Sequence, residues 1–200
     1  MRSTIRRGRN PHTLSRSIPI PEDSVYAMDS FHVSVASSSK HSTVTQDLAI
    51  LGDPRLTEAL GRLAIAHTHL ELVLRYTVKT LRGQGVSEGL KKTKREKVWS
   101  LREKINELFL ATGPTPDDQL KLNSLLARAK NLSKMRNHYL HSAWSVTEAG
   151  KALIHGEDHV WKPAPTKEEV DRLTVNIVTL AKEINYERLH GFIKKSLAAK

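Results

Sequence analysis

The sequence contains no cysteine among its 200 residues. Disulfide frameworks, thiolate metal sites and cysteine nucleophiles are therefore excluded, and the composition suits a reducing compartment. Long apolar runs are missing as well, because no stretch of about 18 apolar residues occurs and the N-terminal segment lacks the apolar core of a secretory signal. We therefore expect a soluble, cytoplasmic protein that has no membrane partner.

Acidic residues are few relative to basic ones. Asp and Glu number 21 against 32 Lys and Arg, so the formal net charge is +11. Such an excess favours a polyanionic partner such as RNA, DNA or an anionic surface. Phosphate-binding glycine motifs of the GxxxxGKS, GxxxxGKT and GxGxxG types are absent. A P-loop nucleotide hydrolase is thereby excluded, and no cofactor is expected.

The first 48 residues differ in composition from the rest. Residues 1–48 are rich in Ser, Arg and Pro, and their apolar residues follow no helical period. This predicts a disordered basic tail, in which the alternating residues 30–37 (SFHVSVAS) are compatible with a short edge strand. One domain is expected over residues 49–197, since 38% hydrophobic residues suffice for a single core.

Four segments have the apolar period of a helix, and three of them begin at recognisable caps. The caps are Asp53 before Pro54, Thr115 before Pro116, and Thr166, which can form a capping box with Glu169. The apolar positions are Leu56, Leu60, Leu63, Leu70, Leu74, Val78 and Leu81; then Val98, Leu101, Ile105 and Leu108; then Leu122, Leu125, Leu126, Ala129, Leu132 and Met135; and finally Val170, Leu173, Ile177, Leu180 and Ile184. Because each stripe needs a partner, the segments predict an antiparallel bundle of four or five helices.

The helical period is interrupted between the third and fourth of these segments. Gly150 and Gly156 are candidate turn residues within about 143–162. The strand-like positions are Val146, Leu153, Ile154, Val160 and Trp161. We predict a small β-hairpin here, packed onto the bundle through Trp144 and Trp161, the alternative being that an exposed tryptophan stacks on a base. The fold class is therefore all-α with one hairpin.

The end of the third segment, KMRNHYLHSAW (134–144), is crowded with polar side chains. On an ideal helix Asn137 and His141 lie about 40° apart, whereas Arg136 and His141 lie about 140° apart. Arg136 and His141 can reach one phosphate through the long arginine side chain, through an irregular last turn, or in a site shared by two chains about a two-fold axis.

These residue types suit metal-independent cleavage of RNA. Histidine can exchange a proton with a ribose 2′-hydroxyl near neutral pH, and arginine offers planar donors to phosphoryl oxygens. Arg136 and His141 would take these roles, with Asn137 orienting the substrate or the histidine. A second interpretation stays open, because arginine and histidine near a helix C-terminus also offset the helix dipole without any catalytic role.

The segment RNHYLH resembles the RxxxxH signature of the HEPN superfamily of helical-bundle proteins, in which a polar residue directly follows the arginine. Residues 60–81 (LGRLAIAHTHLELVLRYTVKTL) are similar to the long first helix of bacterial HEPN proteins, including the pair Leu70 and Glu71. The resemblance covers about residues 50–145. It implies a HEPN-like bundle that forms a homodimer, with the two motifs meeting in a cleft.

The resemblance also implies an activity, that of a metal-independent endoribonuclease used in toxin–antitoxin pairs, phage defence or RNA processing. RNA and an antitoxin would then be partners. On this basis Arg136 contacts the scissile phosphate, Asn137 supports it and His141 acts on the 2′-hydroxyl. Glu71 falls where some relatives place an acidic residue, which either orients His141 or is a solvated surface residue. Other relatives are non-catalytic modules that dimerise and bind RNA or protein, and this alternative stays open.

Basic residues flank the motif. Lys130, Lys134 and His138 are expected to form part of a rim that holds RNA electrostatically, the alternative being a solvated lysine face. The densest positive run, LKKTKREK (90–97), is either a nucleic-acid patch or the charged start of a helix.

The remaining histidines do not make a strong metal site. His67 and His69 are two residues apart in the first helix, so they lie on different faces. His155 and His159 flank a GED turn and could form only a weak site, the alternative being an exposed polar turn. No metal ion is therefore expected.

Overall fold

The structure, a computed structural model, describes residues 53–156 and 158–198. These residues form six helices and three short strands. They are α1 (Pro54–Leu81), α2 (Val86–Thr93), α3 (Val98–Leu110), α4 (Pro116–His141), β1 (Trp144–Val146), β2 (Ala152–His155), β3 (Trp161–Pro163), α5 (Lys167–Leu189) and α6 (Phe192–Ala198). The predicted mainly helical class is confirmed, and no helix in these ranges is long and apolar enough to cross a lipid bilayer. The predicted tail and its edge strand lie outside the described residues.

The starts of three helices follow from local sequence. The Asp53 side chain accepts hydrogen bonds from two backbone N–H groups in the first turn of α1. The Thr115 hydroxyl accepts one from the Asp118 N–H at the start of α4, at 3.2 Å. Thr166 and Glu169 form the complete capping box of α5. Since these contacts satisfy donors that a helix cannot pair internally, the three predicted helix starts are confirmed.

The core is built around α1, which packs against α2, α3, α4 and α5. Every apolar position predicted for α1 and α5 is buried. Each of the four long helices contributes side chains that are at most 1% exposed, for example Leu63, Leu101, Leu122 and Ile177. Gly83 follows α1 with φ +64°, a left-handed conformation that favours glycine, and this explains why the helix stops there.

Two short helices were not predicted. α2 occupies the glycine-rich segment after α1, where a Cβ on Gly89 would lie 2.6 Å from the Cβ of Lys79, so glycine permits this close approach. The basic run 90–97 is therefore the end of α2 and the turn to α3, and the predicted charged helix start is wrong. α6 adds Phe192 to the core, where its ring meets that of Phe109 edge-on at 5.5 Å.

The predicted hairpin is part of a three-stranded antiparallel sheet with the order β1-β2-β3. β1 and β2 pair Ser145 with Leu153, and β3 adds a second hairpin that pairs Leu153 with Pro163. Pro163 has no N–H to donate, which is tolerated because β3 is an edge strand. The prediction of a single hairpin is therefore wrong in the number of strands, and Val160, which was predicted to lie in a strand, precedes β3.

Two apolar side chains near the end of α4 and in the sheet are more exposed than predicted. Trp144 is half-buried against the core and donates from Nε1 to the Tyr139 carbonyl at 3.1 Å, as expected for a packing residue. Trp161, in contrast, is 40% exposed, and Met135 is 46% exposed. Met135 lines a surface groove beside the sheet.

Candidate functional site

A cleft of about 740 Å³ lies beside the C-terminal part of α4 and is also lined by α1 and α3. Its size is within the range of ordinary ligand sites, about 300–1,000 Å³. All seven residues proposed from the sequence line it. They are Glu71, Lys130, Lys134, Arg136, Asn137, His138 and His141. The fold thus brings α1 and the motif of α4 to one place.

Arg136 is the centre of a hydrogen-bonded cluster in the last turns of α4. Its Nη1 donates to Asn137 Oδ1 at 2.9 Å and to His141 Nε2 at 3.1 Å. The long arginine side chain therefore spans the angle of about 140° that separates the two residues on an ideal helix. α4 stays helical through His141, so these groups meet within one chain, without an irregular turn or a second chain.

The hydrogen bond between the arginine and the histidine defines the tautomer of the imidazole. A guanidinium has donors and no acceptor, so His141 Nε2 must be the acceptor and the ring proton lies on Nδ1. Nη2 of Arg136 makes no hydrogen bond within the described residues. A nitrogen lone pair and a planar donor group thus stand side by side at the cleft.

His67 also lines the cleft, although the sequence analysis did not propose it as a site residue. It is 3% exposed, with Nε2 3.0 Å from Ser133 Oγ and Nδ1 3.7 Å from Glu71 Oε1. The nearby carboxylate favours the ring proton on Nδ1, so the Ser133 hydroxyl donates to Nε2. Burial, and after it the charge of Arg136 and that of His141 when its ring is protonated, lowers the pKa of His67 to about 4. His67 is therefore neutral at pH 7.

Glu71 lies beside His67 and not beside His141. Its carboxylate is 3.7 Å from His67 Nδ1 and 3.7 Å from Arg75 Nη2. These distances are too long for strong hydrogen bonds, and since His67 is neutral, Arg75 supplies the balancing charge. The structure thus shows no contact between Glu71 and His141 in the described residues.

A second wall of the cleft comes from α3. Lys97 is the N-cap residue of this helix, and Trp99 and Arg102 follow in its first two turns. Arg102 Nε donates to the Leu126 carbonyl of α4 at 2.6 Å, so it links the two helices. Sequence reasoning did not connect these residues with the motif, because they lie far from it along the chain. The basic run 90–97 reaches the cleft only through Lys97.

Positive charge dominates the cleft. Glu71 is the one carboxylate among the described residues that line it, against five cationic side chains. The cationic residues are Lys97, Arg102, Lys130, Lys134 and Arg136. A concave surface of one sign concentrates the field, so this cleft attracts a polyanion more strongly than a flat surface of the same charge would.

His138 and Lys134 stand on a ridge, since both line the cleft and also the groove beside the sheet. His138 Nδ1 lies 3.1 Å from Ser142 Oγ, which orients its ring. Within residues 53–156 and 158–198, no group of three or more His, Asp or Glu side chains is placed to hold a metal ion. Comparisons of the chain with protein-family models, with curated proteins and with solved structures found no match in any of the three.

Proposed function

We propose that the protein is a metal-independent endoribonuclease and that the cleft is its active site. The observation that carries the proposal is the contact of Arg136 Nη1 with His141 Nε2 at 3.1 Å, on the wall of a cationic cleft. It places a proton acceptor beside a donor for phosphoryl oxygens, the pair that attack by a 2′-hydroxyl requires. The substrate is RNA, because deoxyribose has no 2′-hydroxyl.

In the proposed reaction, a bound phosphodiester draws the guanidinium of Arg136 onto its non-bridging oxygens. His141 Nε2 is thereby released and takes the proton of the neighbouring 2′-hydroxyl. The 2′-oxygen attacks phosphorus, the bond from phosphorus to the 5′-oxygen breaks, and the leaving 5′-oxygen takes a proton from water, while His141 later releases its proton to solvent. The products are a 2′,3′-cyclic phosphate and a 5′-hydroxyl end. Arg136 stabilises the charge that develops on the phosphoryl oxygens.

The other side chains of the α4 wall position the reacting groups. Asn137 Oδ1 accepts from Arg136 and holds the guanidinium in place before substrate binds. Lys130 and Lys134, both exposed at the cleft, neutralise phosphates on either side of the scissile one. His138, oriented by Ser142, contributes to the same rim.

A HEPN-type antiparallel bundle and a homodimer are part of this proposal. They are supported by the resemblance of the long first helix and of RNHYLH, and by the fact that Glu71 of α1 lines the same cleft as that motif. A two-fold partner would bring a second set of Arg136 and His141 toward the substrate. A toxin-like or phage-defence role, with an antitoxin as partner, is proposed on the resemblance alone.

The same contact also favours a second candidate function. Because Arg136 and His141 form a hydrogen bond with each other, both side chains have a partner in the absence of a substrate. This is compatible with a purely structural role, in which these side chains only offset the dipole at the end of the helix. The cationic cleft would then bind RNA or an acidic protein surface without cleaving it. This candidate is a non-catalytic dimerisation and binding module.

The test is cleavage of labelled RNA under single-turnover conditions in excess EDTA. We compare the wild type with His141→Ala and with His69→Ala, an exposed histidine of α1 that does not line the cleft. The proposal predicts cleavage by the wild type and by His69→Ala, and a rate about 10²- to 10⁴-fold lower for His141→Ala. Cleavage by His141→Ala at the wild-type rate would overturn it. RNA binding without cleavage by all three proteins would support the binding module instead.

A further inference from the structure

The exposed tryptophan of the cleft carries a further inference. Trp99 is 60% exposed and lines the cleft that contains Arg136 and His141. A large aromatic side chain exposed at a concave site makes its apolar area available to a ligand.

The exposure of Trp99 follows from the rotation of α3. Val98, Leu101 and Ile105 are buried, at 7%, 0% and 0% exposure, and they turn one face of the helix into the core. At 100° per residue, Trp99 lies to the side of this buried face and cannot join the core without turning the helix. The position of Trp99 at the cleft is therefore set by the packing of the helix.

Cationic side chains line both walls of the cleft at which Trp99 stands. Lys97 and Arg102 belong to the same helix as Trp99, and Arg102 is held in place by its hydrogen bond to the Leu126 carbonyl. Lys130 and Lys134 stand on α4. An aromatic side chain in a groove lined by lysines and arginines is the arrangement that binds single-stranded nucleic acid, since the ring stacks on a base while the cations hold the phosphates.

We propose that Trp99 is a stacking platform for an unpaired base of single-stranded RNA that binds along the cleft. Placement of this base next to the scissile phosphate rests on the proposed function, whereas stacking itself does not. In an A-form duplex the bases are paired and stacked on one another, so Trp99 selects single strands over duplexes. It selects no particular base, because every base offers a π-face.

The experiment measures binding with a probe that the proposed reaction cannot cleave. A fluorescein-labelled single-stranded oligonucleotide with 2′-O-methyl riboses is titrated with the wild type, Trp99→Ala, Trp99→Phe and Trp161→Ala, and affinity is read from anisotropy. Trp161 is the matched control, an exposed tryptophan of β3 that does not line the cleft. Trp99→Ala should bind about tenfold more weakly or worse. Trp99→Phe should keep most of the affinity, and Trp161→Ala should bind as the wild type does.

Three results would overturn the inference. They are wild-type affinity in a Trp99→Ala protein whose circular dichroism shows the native helix content, equal affinity for the duplex form of the probe, and absence of binding by the wild type. In the first of these cases, a Trp99→Ala protein that also sediments as a smaller species would show that Trp99 is a contact between protein subunits. If the wild type binds the probe through Trp99 yet never cleaves unmodified RNA, the ribonuclease proposal fails and the stacking inference stands.

Discussion

The two walls of the cleft arise in different ways. The α4 wall consists of Arg136, Asn137 and His141, which are close in sequence and joined by hydrogen bonds to Arg136. The α3 wall consists of Lys97, Trp99 and Arg102, which meet α4 only because the two helices pack together. A local motif thus supplies groups that can exchange protons, and tertiary packing supplies a charged aromatic surface. Substitutions in the α4 wall should therefore alter the rate of cleavage, and substitutions in the α3 wall should alter the affinity for RNA.

After the loss of His141, the largest effect is expected from removing the guanidinium of the α4 wall. Arg136→Ala should lower the cleavage rate constant about 10²- to 10³-fold, since it removes the donor that stabilises the phosphoryl oxygens. Arg136→Lys should restore little, because an ammonium lacks the planar fork. Single-turnover cleavage assays measure both variants beside Arg172→Ala, an exposed arginine of α5. A near-normal cleavage rate for Arg136→Ala would show that the α4 wall does not catalyse the reaction.

His67 lies between the walls and should make the fold sensitive to acid. Its pKa is about 4 in the folded chain, against an ordinary value of 6.5. The groups that face it are Glu71, Ser133, Arg136 and His141. Between about pH 6.5 and 4 the unfolded chain binds a proton that the folded chain does not. The free energy of unfolding should therefore decrease as the pH falls, by about 3 kcal/mol over this window.

Urea denaturation at several pH values measures this contribution as the difference between the wild type and His67→Gln. The glutamine variant should lose the acid-dependent part, and His69→Gln, which alters an exposed residue, should keep it. Identical pH profiles for the wild type and His67→Gln would show that the histidine titrates normally.

Much of the fold is predictable because helix starts and buried stripes are local properties. Three helix starts can be predicted from side chains that cap backbone donors, namely Asp53, Thr115 and the pair Thr166 and Glu169. α2 was not predicted because its composition is that of a linker, and Gly89 is explained only by the close approach of Lys79. α6 and β3 are short, and their partners are distant or unpredicted, so their own residues carry little signal.

The candidate site also has one part that is predictable from local sequence and one part that is not. RNHYLH is visible as a cluster of six consecutive residues, whereas no local pattern connects Trp99 or Arg102 with it. His67 did have a signal, since it follows Leu63 by four residues and precedes Leu70 by three, which places it on the buried face of α1. A histidine at such a position needs a polar partner, and Ser133 of α4 provides it.

A smaller effect is expected from a single lysine of the α3 wall. Lys97→Ala should weaken RNA binding severalfold and reduce the slope of log affinity against log salt by about 0.7, the value for one phosphate contact on a single strand. Its cleavage rate constant at saturating RNA should stay close to that of the wild type. Lys91→Ala, an exposed lysine of α2 outside the cleft, is the matched control. Equal salt slopes for the two variants would show that the α3 wall does not contact phosphate.

The smallest effect is expected at Glu71. Glu71→Gln removes the one carboxylate among the described lining residues, so RNA affinity should rise by about twofold, while the rate constant should change by less than about tenfold. Glu71 contacts His67 and Arg75, so its loss should leave the α4 cluster intact. Glu103→Gln, an exposed carboxylate of α3, controls for net charge. A loss of 100-fold or more would instead give Glu71 a part in positioning His141.

The central claim is that His141 and Arg136 promote attack by the 2′-hydroxyl of RNA. Mass spectrometry of the RNA ends, after incubation with the wild-type protein in excess EDTA, tests it most directly. The account predicts fragments that carry 2′,3′-cyclic phosphate and 5′-hydroxyl ends and that are absent with His141→Ala. Intact RNA with the folded wild type, or fragments that carry 5′-phosphate ends, would contradict it.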